Sequence, residues 1–212
     1  MVVVAGVDEA GKGPVVGPMC VACVALEKTD LHSLETLGIK DSKKISKKKR
    51  EALAVEIKEI TSWHVLEVGA QMIDELRKVM TMNEIVLKAH AQVINRIMPD
   101  EVYVDAADVN AQRFGLNLKK LLASPAKITS EHNADVKYLI VSAASIVAKV
   151  TRDNLMMKLE EELGCTIGSG YPADPESRAF VAEALKRQDE SMLRVIRHSW
   201  KTVDKIRDSI HL

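Results

Sequence analysis

The chain has 212 residues, of which 47% are hydrophobic and only 3% aromatic, and its thirty basic and thirty acidic side chains leave no net charge. That suffices for one large domain, or a domain with a small appendage, on an aliphatic core; it excludes a protein that coats nucleic acid by global charge, though not a local basic patch. Three cysteines in no framework pattern, no basic leader ahead of the acids at positions 8 and 9, and no apolar run long enough to span a bilayer exclude a disulfide scaffold and a membrane protein and make the cytoplasm the expected setting.

Val2 to Val7 form a short apolar, β-branched run with the pattern of a buried strand. Asp8 and Glu9 follow, and Gly11-Lys12-Gly13-Pro14 breaks the pattern as a turn. Acids at the end of a buried strand must reach water, find cations or bind metal. Paired oxygen ligands suit a hard cation such as Mg2+. The glycines let a backbone approach a ligand closely, and Lys12 adds positive charge between them. Val15 to Leu26 reads as a second strand, forming a hairpin with the first. Cys20 and Cys23 lie three apart in it, so they face opposite sides and read as buried apolar groups rather than zinc ligands.

A short helix is expected over Asp30 to Leu37. Lys40 to Arg50 then holds seven basic residues and one acid. Ser46 can cap the following helix, whose apolar stripe is Leu53, Ile57 and Ile60. Lys47, Lys48 and Lys49 therefore fall in its first turn, the wrong end for cations in the field of the helix dipole. The conflict disappears if an anion such as phosphate docks there; the alternative is a solvated basic face.

Trp63 to Val68 reads as a third strand. Met82, Ile85, Val86, Ala89, Val93, Ile94 and Ile97 mark a strongly amphipathic helix. Glu101 to Asp105 is a short strand ending in a carboxylate, Ala111 to Leu122 a helix, and Ala126 to Thr129 a fifth strand. Ala134-Asp135 opens a long helical stretch, Val136 to Leu163, whose centre VSAASIVAKV is rich in small residues suited to close packing on a sheet. Gly164 is its expected C-terminal cap. Gly168 to Pro172 is a loop, Pro175 to Arg187 a helix, and the end carries Ser199-Trp200-Lys201-Thr202 and a further helix. Asp8, Glu9, Asp105 and Asp135 thus fall at strand ends or a helix start, where the ligand edge of an α/β sheet lies. Four such carboxylates, a basic patch and a glycine-rich turn suggest metal-assisted phosphodiester chemistry.

The segments DEAGKGP, DSKK, YVDAAD, ADVKYLIVSAASIVAKVTRD, GSGYPAD and HSWKT, spread over nearly the whole chain, resemble the type 2 ribonuclease H family, ribonuclease HII, in its archaeal branch. The resemblance implies a ribonuclease H-like α/β fold: a five-stranded mixed sheet flanked by helices, with a catalytic domain over 1–172 and a C-terminal helical region over 173–212. It places the family's catalytic, metal-binding acids on Asp8, Glu9, Asp105 and Asp135. Its glycine-basic-glycine element falls on Gly11, Lys12 and Gly13; many bacterial members have arginine in the middle, so lysine here keeps the charge without the guanidinium fork. The junction-reading tyrosine falls on Tyr171, and the phosphate-contacting groups on Ser42, Lys43, Ser145 and Lys149. Leu139 stands where many archaeal members have proline.

The implied reaction is metal-dependent endonucleolytic hydrolysis of the RNA strand of RNA/DNA hybrids and cleavage 5′ of ribonucleotides embedded in duplex DNA. It leaves a 3′-hydroxyl and a 5′-phosphate, with two Mg2+ or Mn2+ ions clamped by the carboxylates. A monomer is expected. A DNA nuclease or integrase-like enzyme on the same fold would need no reader of the 2′-hydroxyl, and a catalytically silent hybrid-binding module would have no reason to keep four acids. A structural partner in a replication assembly is a third alternative, but no glutamine-led sliding-clamp motif with paired aromatics appears in the final residues.

Overall fold

The computed structural model describes residues 1–39 and 46–210. The chain divides into two compact units: Met1–Ala10, Cys20–Leu66 and Asn83–Thr151 belong to the first, and Gly11–Met19, Glu67–Met82 and Arg152–Leu212 to the second.

The first unit is built on a five-stranded sheet. Its strands are β1 (Val3–Ala10), β2 (Met19–Glu27), β3 (Ser62–Val68), β4 (Glu101–Asp105) and β5 (Lys127–Glu131), in the order β3-β2-β1-β4-β5. β1 runs antiparallel to β2 and parallel to β4, and β4 is parallel to β5, so the sheet is mixed as expected. β1 extends past the apolar run that predicts it. Its ladder with β2 continues through Asp8 and Glu9 to the pair Ala10–Cys20, so both acids lie inside the strand.

Helices flank this sheet. After a short α1 (His32–Thr36) comes α2 (Lys47–Ile60), capped by Ser46 as predicted, its side chain accepting from the Lys49 amide. α4 (Met82–Ile97) coincides with the amphipathic stretch, and α5 (Ala111–Lys119) starts at an Asn110 cap and ends earlier than its composition suggests. The long helical stretch is interrupted: α6 (Ala134–Lys137) stops at Tyr138, whose backbone is extended, before α7 (Leu139–Leu163) begins. Tyr138 has tertiary reasons to leave the helix. Its ring lies 4.5 Å from that of Tyr103, its hydroxyl donates to Glu131, and its carbonyl accepts the first amides of α7, from Val141 and Ser142. From Ile140 to Ala148 α7 is buried on every side, Ser142 and Ser145 included, and Ala143, Ala144, Val147 and Ala148 are wholly buried. It lies so close to β1 that a Cβ on Gly6 would fall 2.2 Å from the Ile140 carbonyl oxygen, so only glycine fits there.

The second unit gathers the turn after β1 and the C-terminal helices: α3 (Ala70–Arg77), the latter half of α7, α8 (Pro175–Arg187), α9 (Glu190–Leu193) and α10 (Lys201–Ile210). Val16, Met156, Phe180, Val181, Ile196 and Val203 form part of its core. The expected second strand is shortened here. Val15 and Val16 leave the hairpin because their amides both donate to the Gly170 carbonyl, while the Val15 carbonyl accepts from the Arg197 amide. α3 and α9 have no counterpart in the sequence reading; their apolar stripes are one or two turns long, too short for periodicity to register. Among the described residues no helix is long and apolar enough to cross a membrane.

Candidate active site

Parallel pairing of β1 with β4 brings their carboxyl ends to one edge of the sheet. Val7 pairs with Val104, so Asp8 and Asp105 follow side by side. Side chains alternate along a strand. Asp8 therefore shares the face of Gly6, toward α7, while Glu9 turns to the other face. Each meets a different helix.

On the α7 face, Asp8 is only 6% exposed. It is bonded by the Ser145 hydroxyl, and one of its oxygens accepts from the Glu9 amide at 2.8 Å. Lys149, one turn further along α7, donates to Ser145 Oγ at 2.6 Å. Burial above all, then the nearby charge of Glu9 and, more weakly, Asp105, raises the Asp8 carboxyl from 3.8 to about 8 against the opposing pull of Ser145 and Lys149. Asp105 is also raised, first by desolvation and then by Asp135 and Glu9, while the Ala134 amide, donating at 3.2 Å, opposes the shift. The four acids predicted from the sequence thus share one electrostatic field. Among the described residues, no three histidines, cysteines or acids already converge as a ready-made metal cage.

On the other face, Glu9 Oε2 lies 3.0 Å from Nε2 of His90 on α4. His90 is wholly buried, with its Nδ1 unpartnered among the described residues and its ring edge-on to Phe114 at 5.4 Å. A carboxylate can only accept, so Nε2 carries the proton and orients Glu9. Sequence reading does not single out His90, which sits within the apolar stripe of α4; a polar residue inside that stripe is the signal that could have found it.

The second unit holds the other predicted elements. Gly11 has φ +86°, and a Cβ there would fall 2.5 Å from Arg152 Nε and 2.6 Å from the Pro18 carbonyl oxygen, so the turn requires glycine twice over. A Cβ on Gly13 would stand 3.7 Å from Tyr171 Cε1, which sets the half-exposed Tyr171 ring beside the turn. Arg152 bonds the carbonyls of Pro18 and Ser169 and lies under the Tyr171 ring at 5.6 Å. Gly11, Lys12, Gly13 and Tyr171 therefore come together in one unit, and Asp8, Glu9, Asp105, Asp135, Ser145 and Lys149 in the other. Ser42 and Lys43 lie outside the described residues. Lys47, Lys48 and Lys49 are exposed in the first turn of α2, as expected.

A mixed five-stranded sheet in the order β3-β2-β1-β4-β5, flanked by helices and with β1 and β4 parallel at its centre, is the α/β architecture of the ribonuclease H type. Solved structures share the architecture: ribonuclease H2 from Pyrococcus horikoshii superposes with a TM-score of 0.90 at 39% identity, covering 99% of both chains. The ribonuclease HII in a complex with PCNA from Archaeoglobus fulgidus gives 0.86 at 40% identity, covering 94% of this chain and 95% of that one. Ribonuclease HII from Methanosarcina barkeri is 47% identical over 98% of this chain and 96% of its own. The sequence profile of ribonuclease HII matches residues 5–203. The chain belongs to the ribonuclease HII family. It is an endoribonuclease H, a metal-dependent hydrolase whose substrate class is the RNA/DNA hybrid.

Proposed function

We propose that the protein hydrolyses the phosphodiester on the 5′ side of a ribonucleotide, in hybrids and at single ribonucleotides embedded in duplex DNA, leaving a 3′-hydroxyl and a 5′-phosphate. The observation that carries this reading is the Val7–Val104 register, from which Asp8 and Asp105 follow together in a field shared with Glu9 and Asp135. The donor set fits a hard divalent cation. All its ligands are carboxyl oxygens, and an Asp8 kept protonated to about pH 8 by burial and acidic neighbours has less positive charge beside it, with Lys149 opposing the shift, than full ionisation of the cluster needs. Asp8, Glu9, Asp105 and Asp135 would hold two Mg2+ or Mn2+ ions. Bound there, such ions supply Lewis acidity that activates water and neutralises charge on the phosphate.

The remaining tasks belong to the chain. His90 holds the Glu9 carboxylate at a fixed angle. Lys149 and Ser145 offer a charge and a hydroxyl to the phosphate beside Asp8. The 2′-hydroxyl is the only handle that marks a ribonucleotide among deoxynucleotides. The Gly11-Lys12-Gly13 turn and the Tyr171 hydroxyl read it, while the Tyr171 ring stacks on the adjoining sugar. The Lys40 to Arg50 stretch, with Ser42 and Lys43, grips the backbone. The protein acts as a cytoplasmic monomer in replication and repair. Its final residues lack a glutamine-led clamp motif, and the complex formed by the Archaeoglobus relative names PCNA as the partner for a binding assay.

The deciding experiment is end-analysis of products from a duplex carrying one ribonucleotide, with Mg2+ and with Mn2+. A single cut 5′ of the ribonucleotide is expected. Comparable cleavage of the all-DNA duplex, or a 2′,3′-cyclic phosphate end, overturns the proposal.

A further inference from the structure

The turn that follows β1 is held by two side chains of one C-terminal segment, Arg197 and Trp200. Arg197 is wholly buried. Its guanidinium spans the turn: Nη2 donates to the Gly11 carbonyl at 2.6 Å, Nη1 to that of Lys12 at 3.0 Å and Nε to that of Gly17 at 3.0 Å. The indole Nε1 of Trp200 donates to the Gly13 carbonyl at 3.1 Å, and its ring lies 5.0 Å from the Arg197 guanidinium carbon. Every carbonyl of Gly11-Lys12-Gly13 is thereby taken by one of two side chains. The segment is itself pinned, because Asp74 on α3 accepts from the amides of His198 and Ser199 at 2.7 and 3.0 Å and from the Ser199 hydroxyl at 2.6 Å.

Peptide geometry gives this clamp a direction. In a trans peptide the carbonyl of one residue and the amide of the next point opposite ways. With the Gly11 and Lys12 carbonyls turned to Arg197, the amides of Lys12 and Gly13 point to the opposite side. The peptide after Gly13 has no amide hydrogen, because Pro14 follows. A permanent positive charge on the carbonyl end also polarises each peptide and strengthens its amide as a donor. The turn thus presents an oriented pair of amides, with the Tyr171 ring beside Gly13.

We infer that Arg197 and Trp200 are positioning residues for ribose recognition: by fixing the three carbonyls of the Gly11-Lys12-Gly13 turn, they aim its amides at the 2′-hydroxyl. This rests on the proposed reading of the turn as the ribonucleotide reader. Neither side chain need touch the substrate.

The test is the ratio of two affinities, measured on the full chain in EDTA so that nothing is cleaved: a duplex with one ribonucleotide, and the all-DNA duplex of the same sequence. Trp200→Phe keeps the stacked ring and loses only the indole donor; Arg197→Lys keeps the charge and loses the fork. Trp200→Phe should narrow the preference for the ribonucleotide duplex by about fivefold, the loss of one typical net hydrogen bond, and Arg197→Lys by at least as much, because the fork it loses makes three. A variant that merely contained fewer folded molecules would weaken both affinities in proportion and leave the ratio unmoved. An unchanged ratio in both variants overturns the positioning role while the wild-type preference stands. A wild-type protein with no preference overturns the reading of the turn itself, and this inference with it.

Discussion

A carboxyl buried among acids is held in place against its own ionisation. Removing the ionisable group of Asp8 should therefore cost activity without costing the fold. Asp8→Asn and Asp105→Asn should each abolish cleavage in Mg2+, while the metal-free melting temperature stays level or rises because like-charge repulsion is relieved. Parallel activity and melting assays check this, and near wild-type cleavage by either variant sinks the assignment. Tyr171 makes a different test possible, since its ring and its hydroxyl can be removed separately. Tyr171→Phe should cost on the order of 1 kcal/mol in kcat/KM, a typical net hydrogen bond. Tyr171→Ala should cost more, because stacking goes too. The loss should be larger on a single ribonucleotide followed by DNA than within a continuous RNA tract. If the ratio of kcat/KM on those two substrates is the same for wild type and Tyr171→Ala, Tyr171 does not read the junction.

Among the elements, α2 carries its own anomaly. Three exposed lysines occupy the first turn, where the dipole opposes them and a phosphate would reconcile them. Each of Lys47→Ala, Lys48→Ala and Lys49→Ala that removes a phosphate contact should lower the slope of log affinity against log salt by about 0.9, equally for hybrids and mixed duplexes. An unchanged slope in the triple variant would mark a solvated face. The capped start of α2, the whole of α4 and α8 and the strand β4 were legible in the sequence because each carries its own punctuation or period. Asp8, Glu9 and Asp105 could be picked out because acids ending apolar strands are locally costly. What could not be read is set by distant partners. The break at Tyr138 depends on Tyr103 and Glu131, and Val15 and Val16 leave their expected strand for a carbonyl at Gly170. Arg197 belongs to the same class: its carbonyl partners lie some 180 residues upstream, and no local rule marks it.

At the scale of the whole molecule, the acids tie stability to pH. Asp8 and Asp105 keep protons in the folded state that the unfolded chain would release. The stability they lend is fully present below about pH 4, the unfolded value, and for Asp8 is lost as pH rises toward 8. Without divalent ions, denaturant midpoints should therefore fall across that window, with a slope of at most about 1.4 kcal/mol per pH unit for each proton involved. If the ionised acids hold Mg2+ as proposed, saturating Mg2+ should flatten the curve, as should Asp8→Asn; a metal-free curve that rises from pH 4 to 8 would contradict the burial of Asp8. Asp8 and its neighbour Glu9 also make the protein a gauge of its own strand register. Asp8 meets Ser145 on one face of β1 and Glu9 meets His90 on the other. A strand has a period of two, so one residue deleted between Val3 and Val7 would not displace the acids slightly. It would exchange their faces, sending the shorter side chain to the histidine and the longer one to the serine. A two-residue insertion restores the faces but carries each acid roughly 7 Å along the strand, away from Asp105. Cleavage should therefore be lost in one- and two-residue length variants of β1 alike, the first through exchanged faces and the second through the broken register with β4; a length variant that cleaves normally would show that the acids need not keep their places.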